Sequence, residues 1–263
     1  MFIQPKPNIA KGELLLAAVA ASLLIAFPGT VEAKRHGAFD GTARISKGSV
    51  LRIHNDRGDI VIREGNGDVV QVHAEVHDIT DRGGLSGRYT AAEVIAYLER
   101  KPPIEQEDKE VRVGYMLDED FHLGVEINYV INVPAWVTLE INAKHGNLEI
   151  HEVGDDIKLD KSSGSVLIQE PRGKLKVITS EGNLQVLGMP HAEWSLKSVI
   201  GDVEVIVPAG LSFELNAESS DGRLNCEFPL GEHKQGRFDG SINGGGQKIH
   251  IRTEHGAVTV RQR

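Results

Sequence analysis

One cysteine, Cys226, stands in 263 residues. No disulfide can form within the chain, so in an oxidising compartment its stability has to come from packing. Aromatic residues make up only 5%, and Trp136 and Trp194 are the only tryptophans that could stack on sugar rings. Beyond the N-terminal region no apolar run approaches the length needed to cross a bilayer. No nucleotide-binding glycine loop is present, because the glycines of the pattern described below open strands and not helices. Positive charge is in deficit: 29 Lys and Arg stand against 38 Asp and Glu, a formal charge of −9. An acidic chain repels nucleic acid and anionic lipid at long range, so nucleic acid is not an expected partner.

The N-terminus has the three-part layout of a secretory signal peptide. Lys6 and Lys11 form a short basic region, Leu14 to Phe27 is a run of apolar and small residues, and Pro28-Gly29 breaks it before Val31-Glu32-Ala33. The run is shorter than the roughly 18 to 20 residues that span a bilayer as a helix. Cleavage after Ala33 is expected; an uncleaved anchor lengthened through Ile9-Ala10 is the alternative. Residues 1–33 are thus assigned to the signal peptide and 34–43 to a mature tail. No cysteine follows the cleavage point directly, which disfavours a lipid anchor. The mature chain, without a membrane span, is expected in the periplasm, on the cell surface or secreted.

What the sequence has in quantity is glycine at a fixed period. One series reads Gly146-Asn147-Leu148-Glu149-Ile150, Gly164-Ser165-Val166-Leu167-Ile168, Gly182-Asn183-Leu184-Gln185-Val186, Gly201-Asp202-Val203-Glu204-Val205 and Gly222-Arg223-Leu224-Asn225-Cys226. These glycines lie 18, 18, 19 and 21 residues apart. A second series is interleaved: Ile157-Lys158-Leu159, Leu175-Lys176-Val177, Trp194-Ser195-Leu196 and Phe213-Glu214-Leu215. Each unit puts apolar residues on one side of a strand and a mostly polar residue on the other. Glycine opens each unit where the chain turns sharply, and the following Asn, Asp or Ser can bond the nearby backbone.

Two strands per repeat predict an all-β fold: a single-stranded, right-handed parallel β-solenoid over residues 44–262 with one short helical insertion. Its interior would hold one ladder of Leu148, Val166, Leu184, Val203 and Leu224 and another of Ile150, Ile168, Val186, Val205 and Cys226. Cys226 then reads as a small buried hydrophobe, not a reactive thiol. An antiparallel sandwich would explain the alternation but not the period shared by two series.

The grammar starts earlier, with Gly48, Gly58 and Gly67 each opening a strand, and closes with Gly256-Ala257-Val258-Thr259-Val260. Between them, 78–110 is an insertion. Thr90 followed by Glu93 is a capping-box signature, and Val94, Ile95 and Leu98 make an apolar stripe, which predicts a helix over Ala91 to Arg100. It would either cover an open end of the solenoid or bind a partner.

Together these features resemble a bacterial domain-of-unknown-function family of exported proteins named as adhesins, β-solenoids of Gly-Asp-Ile or Gly-Asn-Leu half-coils. The likeness covers most of 44–262. It includes Val133-Pro134-Ala135, Gly201-Asp202-Val203 near Val207-Pro208-Ala209, the glycine-rich Gly244-Gly245-Gly246 and the final Thr253-Glu254-His255-Gly256. The resemblance implies a fold and an envelope location, and brings no catalytic residue.

Candidate chemistry is sparse. His73, Glu75 and His77 share one face of a strand, but their order is not that of a helical zinc-protease motif and no third clustered ligand is evident. His145, His151 and His255 sit at turns. Arg57-Gly58-Asp59 spells an integrin-type tripeptide whose glycine and aspartate the repeat already requires. The outward residues Glu149, Lys158, Lys176, Glu204 and Glu214 mix signs and supply no close carboxylate pair. No catalytic, cofactor or metal residue is therefore assigned. The chain is expected to be a non-catalytic binding or scaffold protein of the envelope, acting on an envelope protein or glycan. The alternatives are a polysaccharide-binding or -degrading β-helix enzyme and an accessory in envelope-stress signalling.

Overall fold

The computed structural model describes residues 36–80, 85–116, 118–230 and 234–263. The expected signal peptide, 1–33, lies outside them. Two ten-stranded sheets carry the fold. The first runs, in spatial order, β1 (His36–Arg44), β4 (Val69–Asp78), β9 (Val125–Val133), β3 (Ile60–Glu64), β11 (Leu148–His151), β13 (Val166–Gln169), β15 (Leu184–Leu187), β17 (Val203–Val207), β22 (Val258–Gln262) and β19 (Leu224–Cys226). The second runs β20 (Arg237–Ile242), β18 (Phe213–Ser219), β21 (Gln247–His255), β16 (Trp194–Ile200), β14 (Leu175–Glu181), β12 (Ile157–Ser163), β10 (Thr138–His145), β2 (Val50–Arg57), β8 (Glu110–Val113) and β7 (Ile104–Glu107). A hairpin of β5 (Leu85–Ser86) and β6 (Tyr89–Thr90) precedes helix α1 (Ala91–Arg100).

From β10 to β17 the chain alternates between the sheets, and every pairing is parallel. Leu148 pairs with Val166, Val166 with Leu184 and Leu184 with Val203; Ile150, Ile168, Val186 and Val205 run alongside. All eight side chains are buried. The period-two pattern explains why: consecutive residues face opposite sides, and register is held because a one-residue slip would expose the whole row.

The glycine corners stack as closely as the strands. A Cβ on Gly164 would lie 2.0 Å from the Gly146 carbonyl oxygen, one on Gly182 2.3 Å from that of Gly164, and one on Gly201 2.1 Å from that of Gly182. No side chain fits there. The neighbouring position carries a second ladder, in which the Asn147 amide donates to Asp59 Oδ1 (2.6 Å), Ser165 to Asn147 Oδ1 (3.1 Å), Asp202 to Asn183 Oδ1 (3.1 Å) and Ala257 to Asp202 Oδ1 (2.8 Å). Inside the same corner, buried polar side chains satisfy carbonyls that the sheets leave over: Asn55 donates to Gly58 O and Ile127 O, Thr253 to Gly201 O and Ser219 to Gly256 O.

A uniform parallel solenoid over 44–262 is not what is found; the sheets are mixed. β4 runs antiparallel to both β1 and β9, β7 to β8, and β20 to β18. A parallel stack ends in unpaired backbone; folded-back strands pair with it at one end of the first sheet and at both ends of the second, while β19 closes the other end of the first sheet in parallel pairing with β22. His36–Arg44, expected as a tail, is one of the folded-back strands. Order along the stack also departs from order along the chain. β22 lies between β17 and β19, and β21 between β16 and β18. The ladders therefore continue from Val203 and Val205 to Val258 and Val260, and only then to Leu224 and Cys226, which are half-buried. Gly222 leaves the glycine stack altogether: its place on Gly201 is taken by Gly256, whose Cβ would lie 2.1 Å from the Gly201 oxygen.

Helix α1 has the expected bounds and capping box, with Thr90 accepting from the Glu93 amide and the Glu93 carboxylate accepting from the Thr90 amide. Ala91, Val94, Ile95 and Leu98 belong to the buried core, and a Cβ on Gly37 of β1 would meet Ile95 at 2.3 Å. The helix is a cap built into the fold.

Candidate binding surfaces

The outward face of the first sheet is a shallow groove of about 550 Å³. Its floor is a row of half-exposed side chains in strict register, Val61, Glu149, Leu167, Gln185, Glu204 and Thr259. Asp59, Asn147, Ser165, Asn183 and Asp202 form one rim, and Arg261 stands at the far end. The polar members hold one another: His151 contacts Gln169 (2.9 Å) and Glu149 (3.1 Å), Gln185 donates to Glu204, and Arg261 pairs with Glu204 (2.9 Å). Such a surface is pre-ordered and of mixed polarity. Glu149 and Glu204 are separated by three strand steps, about 14 Å at the usual spacing. That exceeds the roughly 5 to 9.5 Å of a glycosidase carboxylate pair.

The outward face of the second sheet is more strongly charged. Glu140, Lys158, Lys176 and Ser195 follow in register and, with Asp156, Lys174 and Glu193, line a second depression of about 470 Å³. Glu214 lies further along, 3.8 Å from Lys248. Trp194 is buried and Trp136 half-buried, so neither offers an open ring.

The other singled-out residues are dispersed. His73 bonds Asp40 (2.8 Å) while His77 bonds His36 (2.7 Å), so the strand-face histidines engage different partners on β1. His145 contacts Ser163 (2.8 Å) and His255 contacts Asp221 (3.5 Å). In Arg57-Gly58-Asp59 the glycine is buried in the corner stack and Asp59 accepts from Asn147. The tripeptide is part of the framework, not a free loop tip. Cys226 packs against the core, and burial raises its thiol pKa, which suppresses the thiolate form.

One cluster was not legible in the sequence. His54 Nε2 lies 3.1 Å from Asp56 Oδ1, His122 Nδ1 lies 3.5 Å from Asp56 Oδ2, and Lys144 Nζ lies 2.8 Å from Asp56 Oδ1. His54-x-Asp56 on one strand face was the available signal; His122 arrives from a segment far along the chain.

The model of the family described as Toastrack DUF4097 matches residues 128–261. The chain belongs to the Toastrack DUF4097 family. Within this Toastrack protein the match covers the repeats and the first-sheet groove from Glu149 to Arg261, whereas α1, His54, Asp56 and His122 precede it. Among curated proteins none matches. Solved structures similar to it include a "putative cell adhesion protein" from Clostridium sporogenes, 12% identical with a TM-score of 0.48, covering 86% of this chain and 100% of that one. A "putative adhesin" from Bacteroides fragilis is 8% identical with a TM-score of 0.28, over 86% and 97% of the two chains. Another from Parabacteroides merdae is 11% identical with a TM-score of 0.24, over 86% and 96%. Among the described residues, no helix is long and apolar enough to cross a membrane.

Proposed function

We propose that this Toastrack protein is a non-catalytic, adhesin-like binding module of the cell envelope that presents the outward face of its first sheet to a protein or glycan. One observation carries the reading: equivalent side chains from six strands stand half-exposed and in register along a single groove, with Glu149, Gln185 and Glu204 already held by bonds to His151, to each other and to Arg261. Pre-ordered side chains lose little conformational freedom on binding, which favours recognition. The parallel winding from β10 to β17, which we read as a solenoid segment held between two antiparallel ends, keeps that face rigid. The N-terminal layout supports export.

Site-specific photo-cross-linking in the producing cell tests this. A cross-linker at Leu167 or Gln185 is expected to yield a discrete adduct, and one at Lys176 on the opposite sheet none. Equal labelling from both faces, or none from the first, overturns the assignment. Turnover of a polysaccharide by the purified chain would overturn the non-catalytic reading.

A further inference from the structure

We propose that His54, Asp56 and His122 form a binding site for a divalent first-row transition metal of the zinc type. The donors converge because of the backbone. On β2 alternate residues face outward, so His54 and Asp56 share one side of the strand. Gly114, at φ 82°, ends β8 against this strand; a Cβ there would lie 1.9 Å from the His54 carbonyl oxygen. Only glycine allows that approach, and it sends the following segment across the outside of β2. A 3-10 turn, Glu119–His122, capped by Asp118, then delivers His122. The two imidazoles meet edge to face, with centroids 5.5 Å apart.

The geometry and donor chemistry fit a metal. One ligand atom from each residue lies within 4.8 Å of the others, and the two distances to the carboxylate are 3.1 and 3.5 Å. Ligand atoms around a tetrahedral zinc, with bonds of about 2.0 Å, stand roughly 3.3 Å apart. Small side-chain rotations therefore suffice to close the set. Two imidazoles and one carboxylate suit zinc, nickel or copper; calcium and magnesium want an oxygen-rich shell. A fourth position opens toward a cleft of about 590 Å³ lined by Tyr115, Met116, Asp120, Leu123 and Lys144. It would be filled by water or by a donor from a bound partner.

Lys144 is the competitor. Its ammonium contacts Asp56 at 2.8 Å, yet its side chain is 50% exposed and free to swing into solvent. A surface lysine and aspartate can pair without help; the two imidazole nitrogens converging on the same carboxylate supply the nitrogen donors that a metal would add to it. A bound dication would displace the ammonium, so Lys144 lowers metal affinity and its removal raises it.

The test is zinc and nickel titration of the full chain, made without a histidine tag and followed by calorimetry and by the thermal midpoint. One equivalent per chain is expected, with a raised midpoint reversed by chelator. The double substitution H54Q/H122Q is expected to abolish that equivalent, while H36Q/H77Q, which removes the other close histidine pair, leaves it. K144Q lies at an exposed position and keeps the ligands; zinc affinity should rise severalfold. Binding that survives H54Q/H122Q, or moves with H36Q/H77Q, overturns the site. Should H54Q/H122Q fail to fold, an unchanged affinity in K144Q overturns it alone, because a metal on Asp56 has to feel that charge.

Discussion

Gly256 stacks on Gly201, 55 positions earlier in the chain, so closely that a Cβ on the later residue would lie 2.1 Å from the carbonyl oxygen of the earlier one. The obstructing atom belongs to backbone held in two sheets, and it cannot give way as a side chain would.

Gly256→Ala is therefore expected to destabilise the fold by about 2 kcal/mol or more, in the range of overpacked core substitutions. Gly67→Ala, where a Cβ meets nothing within 4 Å, is the control for space, although φ of 74° strains it too. Denaturant melts that rank Gly256→Ala with or below Gly67→Ala in cost would show that the corner stack has slack.

Removal of Gln247 to Arg263 separates the observed topology from a linear stack. In a linear stack the last strands could be trimmed with the rest intact. Here β21 and β22 are interior strands, bridging β16 to β18 and β17 to β19. The truncated chain is expected to lose cooperative unfolding or to aggregate through its newly unpaired edges. A sharp melt near that of the full chain would contradict this.

Lys161 is a buried amine in the polar ladder inside the corners, 1% exposed, donating to Ser163 O at 2.6 Å. Burial pulls its pKa down from 10.5 to about 8, against a smaller opposing effect of Asp59. Between those values the unfolded chain holds a proton that the folded chain releases, so stability rises with pH from about 8 to 10.5. Below 8 the cost of the buried charge is fully felt. Lys161→Met should stabilise at pH 7 by roughly 0.5 to 2 kcal/mol, the relief of charge burial (about 3.4) less about 1.5 to 3 for the lost charge-assisted hydrogen bond. It should also flatten the alkaline rise. A variant that melts lower at pH 7 and keeps the slope would refute the assignment.

The Thr90–Glu93 capping box holds the first turn of a helix whose apolar face belongs to the core. Thr90→Ala is expected to cost about 1 kcal/mol. The hydrogen bonds from Thr90 hold the Glu93 carboxyl below its ordinary pKa. Its contribution is therefore present above the usual glutamate range and fades as pH falls through it. Glu93→Gln should lose that acid dependence, read from melts between neutral and acidic pH.

Legibility tracked the range of the interaction. Leu148, Val166, Leu184 and Val203, the capping box and the bounds of α1 could be read from spacing, because alternation and capping act between near neighbours and a fixed period repeats the same local solution. Equivalent spacing also predicts Gly222, Leu224 and Cys226 next to Gly201, Val203 and Val205, a place that Gly256, Val258 and Val260 take. Nothing local distinguishes the two units, which carry the same pattern.

Short strands with one face buried, turning at glycines about 18 residues apart, follow from the order of the residues alone. Which strands become neighbours is set only in the folded chain: β22 between β17 and β19, antiparallel strands β1, β4, β7 and β20 at sheet ends, and His122 brought to His54 and Asp56. Burial and turning are dictated residue by residue, whereas strand partnership is a competition among many nearly equivalent edges. Local pattern cannot rank those edges, and pairing or covering them favours one arrangement over its rivals only once the whole chain is in place.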